Sequence, residues 1–279
     1  MPRFDGHRLA GFDLSIESDR DVPGALPDRR EGAPDLRIVT LPARALSETA
    51  PVYRWASDTL TFSAPGVARY ACRRDSIEIA AEPGADAEMV TALLIATALP
   101  AVCWLRGGAM LHAAGVVAPS SGRALAIAGP SGVGKSTLTA QLLRDGGLLL
   151  ADDSICLRID DDRAEGTGLP GGYHVADDAR SFCPIPVAQS LRAATIGAVL
   201  VLARTDGAPA LTRLDTVAAL EKLLANQHRP AVPAVLGRHA DMLATMAFIA
   251  RHCAVYEWHR PSAALGMAER EMLAREGLW

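Results

Sequence analysis

GPSGVGKST, residues 129–137, fits the pattern G-x-x-x-x-G-K-[ST], and its fixed positions are held by Gly129, Gly134, Lys135 and Ser136. A glycine-rich turn of this kind points successive backbone N–H groups at a phosphate, while the lysine neutralises charge and the hydroxyl ligates magnesium. Of the 28 basic residues only Lys135 and Lys222 are lysine. A compact ammonium on a flexible stem enters such a loop more easily than the wide fork of arginine. The stretch therefore predicts a phosphate-binding loop.

The segments on either side of the loop have the order that such a loop requires. RALAIAG precedes it and has the apolar pattern of a strand buried on both faces of a parallel sheet. KSTLTAQLLRDGG follows it as a predicted helix, which would place a phosphate at a helix N-terminus. The next apolar run, LLLADD, ends in Asp152 and Asp153. Because strand ends of a parallel sheet meet at one edge, we expect these carboxylates to approach the phosphates and their magnesium.

Composition excludes several classes of protein. The 279 residues carry a formal charge of −4 and contain no basic block, so a nucleic-acid partner is not expected. Five scattered cysteines without a C-x-x-C pair indicate neither a zinc ribbon nor a disulfide framework. The N-terminus lacks the apolar core of a signal peptide, and residues 89–105 favour a buried core helix over a membrane span. We therefore expect a cytoplasmic protein without a membrane partner.

The chain divides into two parts by pattern. Short alternating runs with turn residues between them predict strands over residues 7–83, followed by a helix at 86–105. From the Gly107-Gly108 pair onward, strands alternate with amphipathic helices. The predicted fold class is α/β. It comprises a small β-rich N-terminal domain ending in a helix, residues 1–106, and a phosphate-loop kinase core with a mixed or parallel sheet, residues 107–279.

LHAAGVV, GPSGVGKST and LLLADD together resemble the catalytic domain of the HPr kinase/phosphorylase family in order and spacing, over residues 111–153. A weaker resemblance, in the β-rich start and the late VYEWHRP, is to family relatives encoded beside peptide-modifying enzymes, including lasso-peptide tailoring kinases. The glycine-rich stretch that follows the Asp-Asp strand in the HPr enzyme is not recognisable in GTGLPGGYHVADDARSF. The phosphorylase activity is therefore not implied.

The resemblance and the loop chemistry together assign roles to residues, with ATP and Mg²⁺ as the implied cofactors. The catalytic candidates are His112, Lys135, Asp152 and Asp153. The candidates for nucleotide binding are Gly129, Ser131, Gly132, Val133, Gly134, Lys135, Ser136 and Thr137. The metal candidates are Ser136 and Asp153, and the resemblance makes Asp152 the general base, although the sequence alone does not order the two carboxylates. Arg180 is a candidate for stabilising the transferring phosphoryl group. His228, His239, His252 and His259 lack metal-ligand spacing.

The expected activity is ATP- and Mg²⁺-dependent phosphorylation of a serine hydroxyl on a peptide or small protein, such as a lasso-peptide precursor. Two alternatives stay open: an HPr serine kinase with a divergent N-terminus, and a nucleotide-binding regulator without transfer. The intact acidic pair favours a kinase over a regulator, because a pure sensor needs no base. A homo-oligomer is possible, since the HPr kinases that the chain resembles are oligomers.

Overall fold

The computed structural model describes residues 7–46, 52–174, 181–261 and 266–279. The described residues form a mixed α/β structure with two large sheets, a two-stranded ribbon and helices packed between and around them.

The first sheet contains eight strands in the order β3-β1-β2-β4-β8-β7-β6-β5. Two of its hairpins, β1–β2 and β5–β6, turn on residue pairs with positive φ: Phe12 and Asp13, and Ser57 and Asp58. Two-residue turns of this hand match the twist of the strands they join. The strand bounds are β1 His7–Gly11, β2 Leu14–Ser18, β3 Leu26–Pro27, β4 Leu36–Leu41, β5 Val52–Ala56, β6 Thr59–Ala64, β7 Ala68–Cys72 and β8 Ser76–Ala81.

Helix α1, Ala87–Leu105, follows the first sheet and contains one π-helical turn, Leu94–Ala98. Its first turn is capped by Asp86, whose carboxylate accepts a hydrogen bond from the N–H of Glu88 at 2.9 Å. It is the one helix of the described residues that is long and apolar enough to cross a membrane. Leu94, Leu99 and Val102 are nevertheless fully covered by the rest of the chain. This burial agrees with the core helix predicted for residues 89–105.

The second sheet has nine strands in the order β12-β10-β11-β17-β14-β13-β9, with β19 paired to β17 and β18 paired to β19. Its longest strand, β17, has twelve residues and pairs with β11, β14 and β19, so it joins both halves of the sheet. The bounds are β9 Ala109–Leu111, β10 Ala113–Val117, β11 Ala124–Ala128, β12 Leu148–Ala151, β13 Ile155–Asp160, β14 Arg163–Thr167, β17 Ala193–Arg204, β18 Ala210–Arg213 and β19 Ala254–Arg260. A separate ribbon consists of β15 Gly172–His174 and β16 Phe182–Pro184.

The sheet around the loop is mixed, one of the two arrangements predicted for the core, and β11 pairs in parallel with β17 as expected but not with β10. Strand β10 is antiparallel to both neighbours, β11 and β12. The reason is the short connection between β10 and β11, which permits a hairpin but not a parallel crossover. Strands β11 and β12 still run in the same direction on either side of β10. Their carboxyl ends and the start of β10 therefore meet at one edge.

Within the described residues there are five further α-helices: α2 Lys135–Arg144, α3 Thr216–Ala225, α4 Ala231–Val235, α5 His239–His252 and α6 Met267–Arg275. One hydrophobic core includes side chains from the first sheet, from α1 and from the second sheet, such as Ile38, Leu99 and Leu150. Leu138 and Leu142 of α2 pack in a second cluster with Trp258. The shared core means that apolar packing is continuous across the Gly107-Gly108 pair; the division into two domains stays a prediction.

Candidate active site

The loop between β11 and α2 has the backbone that its glycines predict. Gly129, Gly132 and Gly134 have φ values of 137°, 77° and 105°, which L side chains rarely adopt. A Cβ at Gly129 would also lie 2.9 Å from the carbonyl oxygen of Leu202. The first turn of α2 contains Ser136 and Thr137, whose N–H groups belong to the helix end that lacks a preceding turn. The loop therefore fits an anion at this helix N-terminus.

Lys135 connects the loop to the neighbouring strand β10. Its side chain is buried, and its ammonium donates hydrogen bonds to the carbonyl oxygens of Gly129 at 2.8 Å and Pro130 at 3.3 Å. It also lies 3.2 Å from Nε2 of His112. Because an ammonium can only donate, Nε2 is the acceptor and the His112 proton is on Nδ1. Lys135 is thus held against the carbonyl oxygens of the loop and beside His112.

His112 occupies the step between β9 and β10, where the chain crosses from one half of the second sheet to the other. Its backbone N–H donates to the carbonyl of Asn226 at 2.8 Å, and its Nδ1 donates to the backbone carbonyl of Asp153 at 3.1 Å. Burial lowers the pKa of His112, and the Lys135 ammonium acts in the same direction, while the Asp153 carboxylate opposes them. The imidazole is therefore neutral at pH 7, which agrees with its role as acceptor for Lys135.

Asp152 and Asp153 follow β12 and face different partners. Asp152 Oδ2 accepts hydrogen bonds from the backbone N–H of His174 at 2.9 Å and from its Nδ1 at 2.7 Å. Asp153 is more exposed, with Oδ1 3.6 Å from His112 Nδ1. The described structure therefore brings together His112, Lys135 and Asp153, and places Asp152 beside them with a histidine that sequence reasoning had not selected.

His228 is a second histidine that the sequence did not assign to the site. It lies between α3 and α4 with 4% of its surface exposed, and its ring centroid is 5.9 Å from that of His112. Its Nε2 is 4.0 Å from Asp153 Oδ2. Burial lowers the pKa of His228 to about 4, although the Asp153 carboxylate favours the charged form. The HRP context of His228 gave no signal for this placement, because the contact is made only by tertiary folding.

An open cavity of about 720 Å³ adjoins the loop on the side away from β10. Its wall comprises loop residues 130–133, the end of β17, Glu257 in the middle of β19, and the end of α3. Lys222 and Glu257 form an ion pair there, with Nζ and Oε1 2.6 Å apart. The volume lies in the range of small-molecule sites.

Arg204, at the end of β17, donates a hydrogen bond from Nη2 to the carbonyl of Gly132 at 2.6 Å. It is an arginine in direct contact with the loop, and sequence reasoning had not singled it out. Arg180, the arginine suggested by the sequence, lies outside the described residues.

No family model and no curated protein matches the chain. Among solved structures, it is similar to the HPr(Ser) kinase/phosphatase from Coxiella burnetii, with 16% identity and a TM-score of 0.39. The superposition covers 60% of this chain and 95% of that chain.

Proposed function

We propose that the protein is an ATP- and Mg²⁺-dependent kinase that phosphorylates a serine hydroxyl of a peptide or small protein. The observation that carries the proposal is the direct chain of contacts from the loop through Lys135 and His112 to Asp153, with Asp152 next in sequence. Phosphoryl transfer needs positioning, charge neutralisation and one proton acceptor. The site has a group for each of these tasks.

The loop and α2 would hold the nucleotide. In this proposal the amides of residues 132–135 bind the β-phosphate and the Lys135 ammonium binds the β- and γ-phosphate oxygens. Gly129, Ser131 and Thr137 shape the loop ends around them. When bound, Mg²⁺ neutralises charge on the phosphates, and Ser136 with Asp153 would hold it through oxygen ligands. The exposure of the Asp153 carboxylate fits a group that ligates an incoming ion.

Asp152 fits the role of general base. His174 engages Oδ2 twice, through its backbone N–H and its ring, and so fixes the orientation of the carboxylate. Oδ1 is then the oxygen that accepts the proton of the serine hydroxyl. As that O–H bond breaks, the serine oxygen bonds to the γ-phosphorus, and the bond from phosphorus to the β–γ bridging oxygen breaks.

The test is incubation of the purified chain with Mg-ATP and two acceptors, an HPr protein and a serine-containing lasso-type precursor peptide. Intact mass should show the addition of one phosphoryl group to the peptide. Asp152→Asn should lower the rate about 10²–10⁴-fold while ADP still binds, because only the base is removed. Asp162→Asn, in an exposed turn, is the matched control and should keep full activity.

The outcomes of this experiment distinguish the three functional hypotheses. Transfer to the peptide supports the tailoring kinase, and transfer to HPr alone would replace it by an HPr serine kinase with a divergent N-terminus. A protein that binds ADP but transfers to neither acceptor, with Asp152→Asn retaining every measured property, would favour a nucleotide-binding regulator.

A further inference from the structure

Three side chains from distant parts of the chain converge beside the loop: His112 from the step between β9 and β10, Asp153 after β12, and His228 between α3 and α4. One ligand atom from each lies within 4.8 Å of the other two. The individual separations are 3.6 Å from His112 Nδ1 to Asp153 Oδ1 and 4.0 Å from His228 Nε2 to Asp153 Oδ2. We call these three residues the His-Asp-His cluster.

The proposed phosphoryl transfer has no task for His228. The side chain is almost fully buried, and within the part of the chain that the structure describes its Nδ1 has no hydrogen-bond partner. Its Nε2 faces Asp153 at 4.0 Å, which is beyond hydrogen-bonding distance. That gap is too wide for a hydrogen bond and close to the spacing of two ligands on one cation, so Nε2 and the carboxylate point to a ligand between them. The unpaired Nδ1 is the other ring nitrogen and would not bind that ligand.

We propose that the His-Asp-His cluster binds a borderline divalent cation of the zinc type. Two imidazoles and one carboxylate are donors that Zn²⁺ and Co²⁺ accept readily, whereas Mg²⁺ prefers oxygen ligands. With metal–ligand distances of roughly 2.0–2.1 Å, tetrahedral ligands lie about 3.4 Å apart. The two separations from Asp153, 3.6 and 4.0 Å, exceed this value by less than 1 Å, and the ligand atoms of His112 and His228 lie within 4.8 Å of each other. A three-residue site also leaves one position for water.

Lys135 disfavours binding of this cation, and its replacement therefore gives a specific test of the proposal. Its ammonium donates to His112 Nε2, so the proton of that ring is on Nδ1, the nitrogen that faces Asp153. A cation can bind Nδ1 only after the proton on Nδ1 has left. In the other neutral tautomer the proton is on Nε2, and Nε2 then no longer accepts a hydrogen bond from Lys135. Replacing the ammonium by an apolar side chain should therefore tighten cation binding.

The cation would also use Asp153, the carboxylate that the proposed function gives to magnesium. This consequence rests on that function: Zn²⁺ should inhibit phosphoryl transfer, and added Mg²⁺ should relieve the inhibition. The cation does not require the nucleotide in order to bind, so its affinity is measured in the absence of nucleotide.

The experiment is a titration of the full chain with Co²⁺ in the absence of nucleotide, followed by the visible d–d absorption of tetrahedral cobalt. The wild type should show saturable absorption, His228→Ala should bind at least 10-fold more weakly, and Lys135→Met should bind more tightly. His239→Ala, at the exposed start of α5, is the matched control and should bind as the wild type does. Circular dichroism melts verify folding, and His228→Asn keeps a polar side chain if the alanine variant does not fold.

Absence of visible absorption for the wild type at excess Co²⁺ would overturn the proposal. So would equal affinity in the wild type and a folded His228 variant. The five cysteines are free thiols, and cobalt bound to them would show sulfur-to-metal charge transfer in the near ultraviolet. Such a band that persists in the His228 variants would assign the binding to thiolates and reject the cluster. ADP binding in metal-free buffer and transfer with Mg-ATP report separately on the proposed kinase.

Discussion

The Lys135 ammonium contacts two backbone carbonyl oxygens and one imidazole nitrogen, which lie in different directions from it. Its ammonium donates into the loop, to the Gly129 and Pro130 carbonyls, and across to His112 Nε2. A single point charge on a flexible stem serves all three, whereas a planar guanidinium spreads its donors over a wide, fixed fork. The residue is also buried, so the bulkier guanidinium would have to displace neighbouring atoms.

We therefore expect Lys135→Arg to weaken binding of Mg-ADP at least 10-fold, as measured by isothermal titration calorimetry. The control lies outside the loop and the cavity beside it. Arg275, on the exposed face of α6, pairs with Glu271 one helical turn away. Arg275→Lys keeps the charge and should leave ADP affinity within about 2-fold. Equal affinity in Lys135→Arg and the wild type would contradict the proposed role of the ammonium.

His174 is a positioning residue for Asp152 in the proposed reaction. Its two hydrogen bonds to Oδ2 fix the carboxylate, and its ring also contacts the edge of Phe182 with centroids 5.2 Å apart. His174→Ala should lower kcat roughly 10-fold, by analogy with other groups that orient a reacting side chain. The KM for ATP should not change, because the loop is untouched.

A merely structural role for His174 would affect kcat and KM together. His174→Asn provides the rescue, since its amide donates a hydrogen bond from a similar distance and should recover part of kcat. His252→Ala, an exposed histidine at the end of α5, is the control for loss of an imidazole. An unchanged kcat in His174→Ala would contradict the proposed positioning role of His174.

At the scale of elements, the strand, loop and helix at residues 124–144 could be predicted because their signals are local. Glycine spacing determines the turn, and leucine spacing determines which face of α2 packs inward. The antiparallel β10 was not predicted, since a buried apolar strand carries no mark of its neighbours' direction. His174 and His228 were missed for a related reason. Their contacts with Asp152 and Asp153 arise from the pairing of distant elements, and neither histidine stands in a recognisable motif.

Gly168 packs against the end of β12, immediately before the acidic pair. A Cβ at this position would lie 2.4 Å from the Ala151 Cβ and 2.8 Å from the Leu150 carbonyl oxygen. Neither the short alanine side chain nor the paired backbone can rotate away, so the end of β12 must shift. Gly168→Ala should therefore destabilise the fold by about 1–3 kcal/mol, the usual range for overpacking.

Urea denaturation measures this change, with Gly207→Ala as the matched control. A Cβ at Gly207 would have Thr205 Oγ1 at 3.4 Å as its nearest neighbour, which is ordinary contact for a side chain that can move. The control should change the free energy of unfolding by less than about 0.5 kcal/mol. A Gly168→Ala protein as stable as the wild type would mean that β12 tolerates displacement next to Asp152.

At the scale of the whole molecule, a buried carboxylate joins the first sheet to the second. Asp28, just after β3, has no exposed side-chain surface and lies 3.0 Å from Arg30 Nε and 3.4 Å from Nη1 of Arg192, which precedes β17. Arg192 also donates to the Pro27 carbonyl at 3.0 Å. Both arginines are partly exposed, so water screens their charges and reduces the contribution of each ion pair.

Asp28→Asn should lower the free energy of unfolding at pH 7 by about 1–2 kcal/mol, toward the low end of the roughly 1.5–3 kcal/mol of hydrogen bonds to charged groups, because water screens both arginines. Burial alone would raise the pKa of Asp28, but the nearby Ser15 hydroxyl and the hydrogen bonds and charge of Arg30 hold that pKa below its ordinary value. The unfolded chain consequently binds a proton at Asp28 at a higher pH than the folded chain does. The stabilisation is present above the unfolded pKa, near 3.8, and is lost as the pH falls through the lower folded pKa.

The difference between wild type and Asp28→Asn should therefore be constant from pH 7 to about 5 and should shrink as the pH falls below about 4. Urea denaturation at pH 7, 5, 4 and 3 measures it. His228, whose pKa burial lowers to about 4, takes up its proton in both proteins alike and cancels in the comparison. Asp162→Asn, in an exposed turn, should match the wild type at every pH. A difference that stays the same at pH 3 would show that Asp28 acts through packing, and that its charge does not hold the two sheets together.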